Sequence, residues 1–123
     1  MLKVAAILIF LLGAVHSILG ERYILIRLFR RENIPRLFGS DSFTKGTLRF
    51  AWHVTTFAWW GFAYLLWQIS AGEEGISQTV LYTIVAVSFI SGVFAFYFTR
   101  GKHLSWVIFI IIAGLAYCTA QNS

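Results

Sequence analysis

Four long apolar segments separated by shorter polar ones dominate this chain. They cover residues 2–19, 47–69, 76–98 and 104–120. A helix needs about 20 apolar residues to cross the hydrocarbon core of a bilayer, and the four segments reach or approach this length. Because lipid offers the backbone no hydrogen-bond partners, a segment that crosses it must be helical. The pattern predicts an all-α integral membrane protein, a bundle of four transmembrane helices forming one domain over residues 1–123.

The composition supports lipid as the solvent of this chain. Of the 123 residues, 59% are hydrophobic and only 12% are charged, whereas soluble domains are about half apolar and a quarter charged. The net charge of +5 would suggest nucleic acid in a soluble protein, but here the basic residues lie in short loops between apolar segments. We therefore expect contact with anionic lipid and no nucleic-acid partner. The lone cysteine, Cys118, excludes an intrachain disulfide.

Basic residues are concentrated on one side of the predicted membrane. Most lie in the loop 20–46, whereas the connection between the second and third segments has none and contains Glu73 and Glu74. Cytoplasmic loops are rich in Lys and Arg, so the loop 20–46 is predicted to be cytoplasmic, with both termini outside. The expected location is the cell membrane, in a bacterium the inner membrane. His16 stands where a signal peptide needs a small residue, so the first segment is expected to be retained.

The segment from Glu21 to Arg31 has an amphipathic pattern. On a helical wheel its apolar side chains lie on one side and its arginines on the other. It either extends the first helix into the cytoplasm or lies along the membrane surface as an interfacial helix. The sequence Asn33-Ile34-Pro35 should end it, because proline disfavours helix in the residue before it. The arginines predicted to bind anionic lipid are Arg22, Arg27, Arg30 and Arg31.

Three histidines lie near the same predicted membrane face, each towards the end of a different helix: His16, His53 and His103. Neutral imidazole is the commonest protein ligand for metals, and ionisable groups inside a membrane usually face the bundle interior. The three side chains are candidate ligands for iron, copper or zinc. Alternatively, His16 and His53 are candidate axial ligands of haem b. Hydrogen bonds between helices are the competing interpretation, because no metal-binding motif supports the cluster.

Arg49 and Trp60 share the helix face of His53 and complete the candidate cofactor site. Arg49 lies one turn nearer the cytoplasm, where its guanidinium would suit a haem propionate, a carboxylate or a phosphate. Its competing role is to extend towards lipid phosphates. Trp60 lies deeper in the membrane, where its ring would suit a flat ligand such as a porphyrin or a quinone, or would simply pack against its neighbours.

Glu21 is the acidic residue nearest to the candidate site. It is expected to form an ion pair with Arg22 or Arg49 at the membrane interface. The sequence shows no Ser-His-Asp arrangement and no pair of acids within a span, so no enzyme activity is assigned. Gly13 and Ser17 are interpreted as small residues that mark a helix contact.

These observations lead to three functional hypotheses. The first is a small membrane protein that binds a metal ion or haem through its histidines. The second is a non-catalytic accessory subunit of a larger membrane complex, which short loops and abundant aromatic residues would also suit. The third is a small transporter working as a homo-oligomer, although the spans lack the carboxylates that usually couple transport to protons.

Overall fold

The computed structural model describes residues 1–72 and 74–122, so Glu73 lies outside the described residues. The described chain is helical and has no β-strand. Its four long helices are α1 (Leu2–Leu28), α2 (Ser42–Ala71), α3 (Ile76–Thr99) and α4 (Ser105–Gln121). The prediction of an all-α chain with four helices is confirmed.

Each predicted segment coincides with one helix, but the first two helices are longer than their apolar segments. The amphipathic segment extends α1 to Leu28, as the first of the two alternatives predicted. After the loop that follows α1, α2 begins at Ser42, five residues before the apolar segment 47–69 starts. Hydropathy marks only the part of a helix that suits lipid, whereas polar residues such as Arg and Lys also form helix readily. The helices therefore continue beyond the apolar boundaries.

The continuation of α1 is not a regular α-helix. Residues Gly20–Leu25 are π-helical, and α-helical geometry resumes at Ile26. π-helical segments are rare and frequently occur at functional sites, because they change the direction of the side chains around them. Glu21 lies at the start of this segment.

The four helices lie in a row, each antiparallel to the next. α1 packs on α2, α2 on α3 and α3 on α4. Within the described residues, no Cα atoms closer than 8 Å join α1 to α3 or α4, or α2 to α4. The arrangement is therefore an open bundle. One end of it carries the segment 20–46 and the α3–α4 connection, and we call it the basic end.

Small side chains fill the seams between helices, and large apolar side chains cover the outside. The buried residues of the seams are mostly alanine, serine, threonine and glycine, which allow helix backbones to approach closely. In the most apolar window of α1, only 11% of the residues are buried. A core helix of a soluble protein would be mostly buried. Two helices, α1 and α3, are long and apolar enough to cross a membrane, and α4 is a shorter apolar helix.

Candidate functional site

Trp52 fixes the contact between the two helices that carry the site. Its indole Nε1 donates a hydrogen bond to the backbone carbonyl of His16, 3.1 Å away. The indole lies over Gly20, where an added Cβ would be only 2.1 Å from Nε1. It also stacks on the His16 ring, with ring centroids 4.5 Å apart and planes 2° from parallel. A glycine on α1 thus provides the space that lets a tryptophan of α2 reach the α1 backbone.

Beside this contact, His53 of α2 lies between two polar side chains of α1. Ser17 Oγ is 2.5 Å from His53 Nδ1, and Glu21 Oε2 is 3.1 Å from His53 Nε2. Ser17 and Glu21 are four residues apart, so they lie on the same helix face, one turn from each other. The His53 side chain is 15% exposed. The imidazole therefore has a partner at each ring nitrogen and lies largely out of solvent.

Arg49 completes this group through Glu21. The Arg49 guanidinium contacts both carboxylate oxygens, with Nη2 2.7 Å from Oε1 and Nε 3.1 Å from Oε2. Of the two partners predicted for Glu21, Arg22 and Arg49, the structure forms the ion pair with Arg49. Two parallel charge-assisted hydrogen bonds are stronger and more specific in geometry than a single neutral one. Arg49 also lies over the ring of Phe29, with Cζ 4.9 Å from the centroid. We call Ser17, Glu21, Arg49 and His53 the seam cluster.

The hydrogen-bond roles within the seam cluster follow from its members. A carboxylate can only accept, so in a neutral His53 the proton is assigned to Nε2, facing Glu21. The other nitrogen, Nδ1, then accepts a hydrogen bond from the Ser17 hydroxyl. When His53 takes up a second proton, Nδ1 becomes a donor and the hydroxyl rotates to accept. Every member thus stays hydrogen-bonded in both protonation states, without any heavy atom moving.

The other two histidines have different surroundings. His16 Nε2 is buried and has no hydrogen-bond partner among the described residues. His103 Nδ1 is 2.7 Å from Ser105 Oγ, and its ring packs against Phe43 and Phe50. Across residues 1–72 and 74–122, no three or more His, Cys, Asp or Glu side chains are grouped so that they could hold a metal ion. The predicted ligand set of three histidines is therefore not assembled in this structure.

Trp60 lies away from the seam cluster, at the junction of two apolar grooves. One groove of about 420 Å³ lies between α1 and α2, and another of about 370 Å³ lies between α2 and α3. Trp60 and Tyr64 line both grooves, whereas His53 and Arg49 line neither. Trp60 Nε1 donates a hydrogen bond to the Phe10 carbonyl at 3.1 Å, which is a structural role. The structure thus brings Arg49 to His53 but not Trp60.

No protein-family model matches this chain, and no curated protein or solved structure is significantly similar to it. What the site does must therefore be inferred from its own side chains. An acyl-transfer centre is the first chemistry that a serine, a histidine and a carboxylate suggest. Ser17 lies inside α1, however, where the backbone N–H groups are used by the helix. No oxyanion hole can form from them, and such a reaction has no support here.

Ser17 is the member of the site that the sequence interpretation did not identify. It was assigned to a helix contact, which is correct as far as packing goes, but its hydroxyl also binds His53. One signal was present in the sequence, because Ser17 and Glu21 are polar residues one turn apart on the glycine-containing face of an apolar helix. Their partner is 36 residues from Ser17, so spacing alone could not identify it.

Proposed function

We propose that this protein is a small multi-pass protein of the cell membrane whose seam cluster binds and releases a proton. The observation that supports this most is the pairing of both His53 nitrogens, which remains complete in the neutral and in the protonated state. Ionisable residues within membrane helices are energetically costly and are typical of proton-handling sites. Imidazole is the side chain that most often exchanges protons near physiological pH.

The charges of the cluster indicate the kind of proton site that it would be. With His53 neutral, the charges of Glu21 and Arg49 cancel. With His53 protonated, Glu21 lies between two cations at 3.1 Å or less, and the seam carries one positive charge. Because no heavy atom has to move, the arrangement suits a relay or a store of protons better than a conformational switch.

We also propose that all four helices cross the membrane, with the basic end in the cytoplasm and both termini outside. The apolar lengths of α1 and α3 support this. α2 packs along both of them, which supports a membrane span for α2 as well. The basic residues concentrate at one end, as the positive-inside rule requires. The amphipathic segment from Glu21 to Arg31 leaves its arginines exposed there, where they would meet anionic lipid. These are Arg22, Arg27, Arg30 and Arg31.

This orientation predicts the behaviour of reporter fusions. Alkaline phosphatase, which is active only outside the cytoplasm, should be active when fused after the last residue and inactive when inserted in the loop 29–41. Green fluorescent protein, which fluoresces only when folded in the cytoplasm, should show the opposite pattern. A fluorescent fusion at the C-terminus would show that the proposed orientation is wrong.

Proton binding at His53 can be measured by ¹⁵N NMR of protein labelled at histidine and tryptophan, in lipid nanodiscs. We expect a state in which both ring nitrogens of His53 carry a proton to appear when the sample is acidified. The indole N–H signal of Trp52, which reports on the α1–α2 seam, should stay in place. The His53→Asn variant identifies the signal, and His103→Asn is the matched control that should leave it unchanged. A His53 that never gains a second proton would refute the proposal.

Binding of a metal ion or haem by the same histidines is the competing hypothesis, and it stays a prediction. A ring nitrogen that is hydrogen-bonded cannot bind a metal at the same time, so His53 would first have to leave Ser17 or Glu21. Metal analysis of the purified protein separates the two hypotheses. Near-stoichiometric iron, copper or zinc that is lost in both His16→Asn and His53→Asn would show that these histidines bind a metal ion, and the proton hypothesis would be abandoned.

The open arrangement of the helices supports a second candidate function, an accessory subunit of a larger membrane complex. Trp60 and Tyr64 line the two open grooves along α2, and Tyr64 is 51% exposed. Aromatic residues of this kind are enriched in protein interfaces. A transmembrane helix of a partner would fill the two grooves. The transporter hypothesis has no such observation to support it.

A further inference from the structure

A small polar pocket lies at the basic end, between the start of α2 and the end of α3. Its volume is about 120 Å³, whereas sites for drug-sized molecules measure roughly 300–1,000 Å³. The polar part of its lining comes from both segments: Ser40 and Ser42 on the α2 side, Arg100 and Lys102 after α3. Its size and lining suit a single small polar group such as a phosphate.

The charge of this pocket is positive. Arg100 and Lys102 have no acidic partner in the described part of the chain. Asp41 is close in sequence, but its carboxylate is paired with Lys45, with Oδ2 2.6 Å from Nζ. The hydrogen bond from Lys45 holds the pKa of Asp41 below its usual value, so this acid is ionised and already neutralised by its partner.

A tight turn after α3 places Arg100 and Lys102 at the pocket. Arg100 adopts a left-handed conformation with φ of 52°, which is uncommon for a residue other than glycine. Gly101 follows with φ of 74°, and its N–H donates a 2.9 Å hydrogen bond to the Phe96 carbonyl. This closes α3 and turns the chain back, so that Arg100 and Lys102 line the pocket beside the first residues of α2.

We infer that this pocket binds the phosphate group of an anionic phospholipid. Guanidinium and ammonium groups bind phosphate through charge-assisted hydrogen bonds. The Ser40 and Ser42 hydroxyls are 2.8 Å apart and bond to each other, so one of the two is left to donate to a phosphate. Basic pockets between helices at the cytoplasmic face are typical sites for lipid head groups. Next to the pocket, Leu37 is 48% exposed and Phe38 is 70% exposed. Such apolar side chains would insert among acyl chains, which favours a lipid over free phosphate.

The test is native mass spectrometry of the full-length protein released from a neutral detergent, titrated with dioctanoyl phosphatidylglycerol. The Arg100→Gln/Lys102→Gln double variant should bind this lipid about tenfold or more weakly, because it loses two charge-assisted contacts. The control is Lys3→Gln/Arg36→Gln, which removes the same amount of charge at two positions that do not line the pocket and are not among the arginines proposed to meet anionic lipid. Its affinity should change by less than about threefold. Lys102→Gln alone should weaken binding about threefold. Because Lys102 is exposed, this variant should fold normally, and it tests the site even if the double variant misfolds.

A parallel titration with inorganic phosphate shows whether the pocket prefers the phosphate group of a lipid or free phosphate. We expect weak binding of inorganic phosphate compared with the lipid, and Leu37→Ser, which removes an exposed apolar side chain beside the pocket, should weaken lipid binding only. Equal affinities for the two probes would overturn the lipid assignment, and equal losses in the pocket variant and its control would overturn the site. The inference rests on the proposed membrane orientation but not on the proton site. Lipid binding should therefore be unchanged in His53→Asn.

Discussion

Gly46→Ala should lower the stability of this protein more than any other exchange of a single small residue in it. Gly46 is buried in α2, and an added Cβ would lie 1.9 Å from the backbone carbonyl oxygen of Phe98 in α3. A side chain could rotate away from the new methyl group, but a helix backbone cannot. The two helices would have to separate at the basic end. Overpacking of this kind costs about 1–3 kcal/mol and occasionally more.

Thermal unfolding in detergent, followed by tryptophan fluorescence, measures this effect. The matched control is Gly114→Ala in α4, where nothing lies within 4 Å of the added Cβ. There the better helix propensity of alanine should leave the protein unchanged or stabilise it by up to about 1 kcal/mol. If Gly46→Ala and Gly114→Ala unfold at the same temperature, the close approach of α2 and α3 described here is incorrect.

Glu21→Gln should have the second-largest effect, because it removes the one carboxylate that both Arg49 and His53 contact. The Arg49 guanidinium would then remain in the seam without a counter-charge. Breaking a fully buried ion pair costs about 3–5 kcal/mol. Here the two side chains are 30% and 29% exposed, so water screens part of the loss. We expect a destabilisation of about 1–3 kcal/mol.

Two further variants make this prediction specific. Glu32→Gln removes an exposed carboxylate at the same end of the molecule and should change the free energy of unfolding by less than about 0.5 kcal/mol. The Glu21→Gln/Arg49→Gln double variant should be more stable than the sum of its single effects predicts, because it leaves no unpaired charge. Strictly additive losses would mean that the ion pair contributes no coupling between α1 and α2.

The helices illustrate what could be predicted from the sequence. The uncharged segment 76–98 corresponds to a helix that ends at Thr99, almost where its apolar residues end. The prediction was less accurate for α1 and α2, where helix continues into polar sequence. The π-helical segment of α1 was not predicted, because that geometry depends on a single change in the backbone hydrogen-bond register. The hydropathy of the neighbouring residues does not encode it.

The candidate site, too, could be predicted from the sequence only in part. Glu21 was expected to pair with Arg22 or Arg49, and it pairs with Arg49, because both residues lie near a predicted helix end at the same depth. The grouping of three histidines was not found. His103 is turned towards Phe43 and Phe50, and His16 lies flat against Trp52. A histidine's depth follows from its position in a helix, but its direction depends on the rotation of that helix about its axis.

The sequence by itself determined the helical character of this protein, its four helices and the concentration of charge at one end. These are properties of single segments, since an apolar run or a cluster of arginines acts within a few residues. Only the tertiary structure decided which polar groups meet, and that the helices lie in an open row. Close contacts at Gly20 and Gly46 set the rotation and distance of neighbouring helices. Such contacts depend on side chains far apart in the chain, so no local pattern records them.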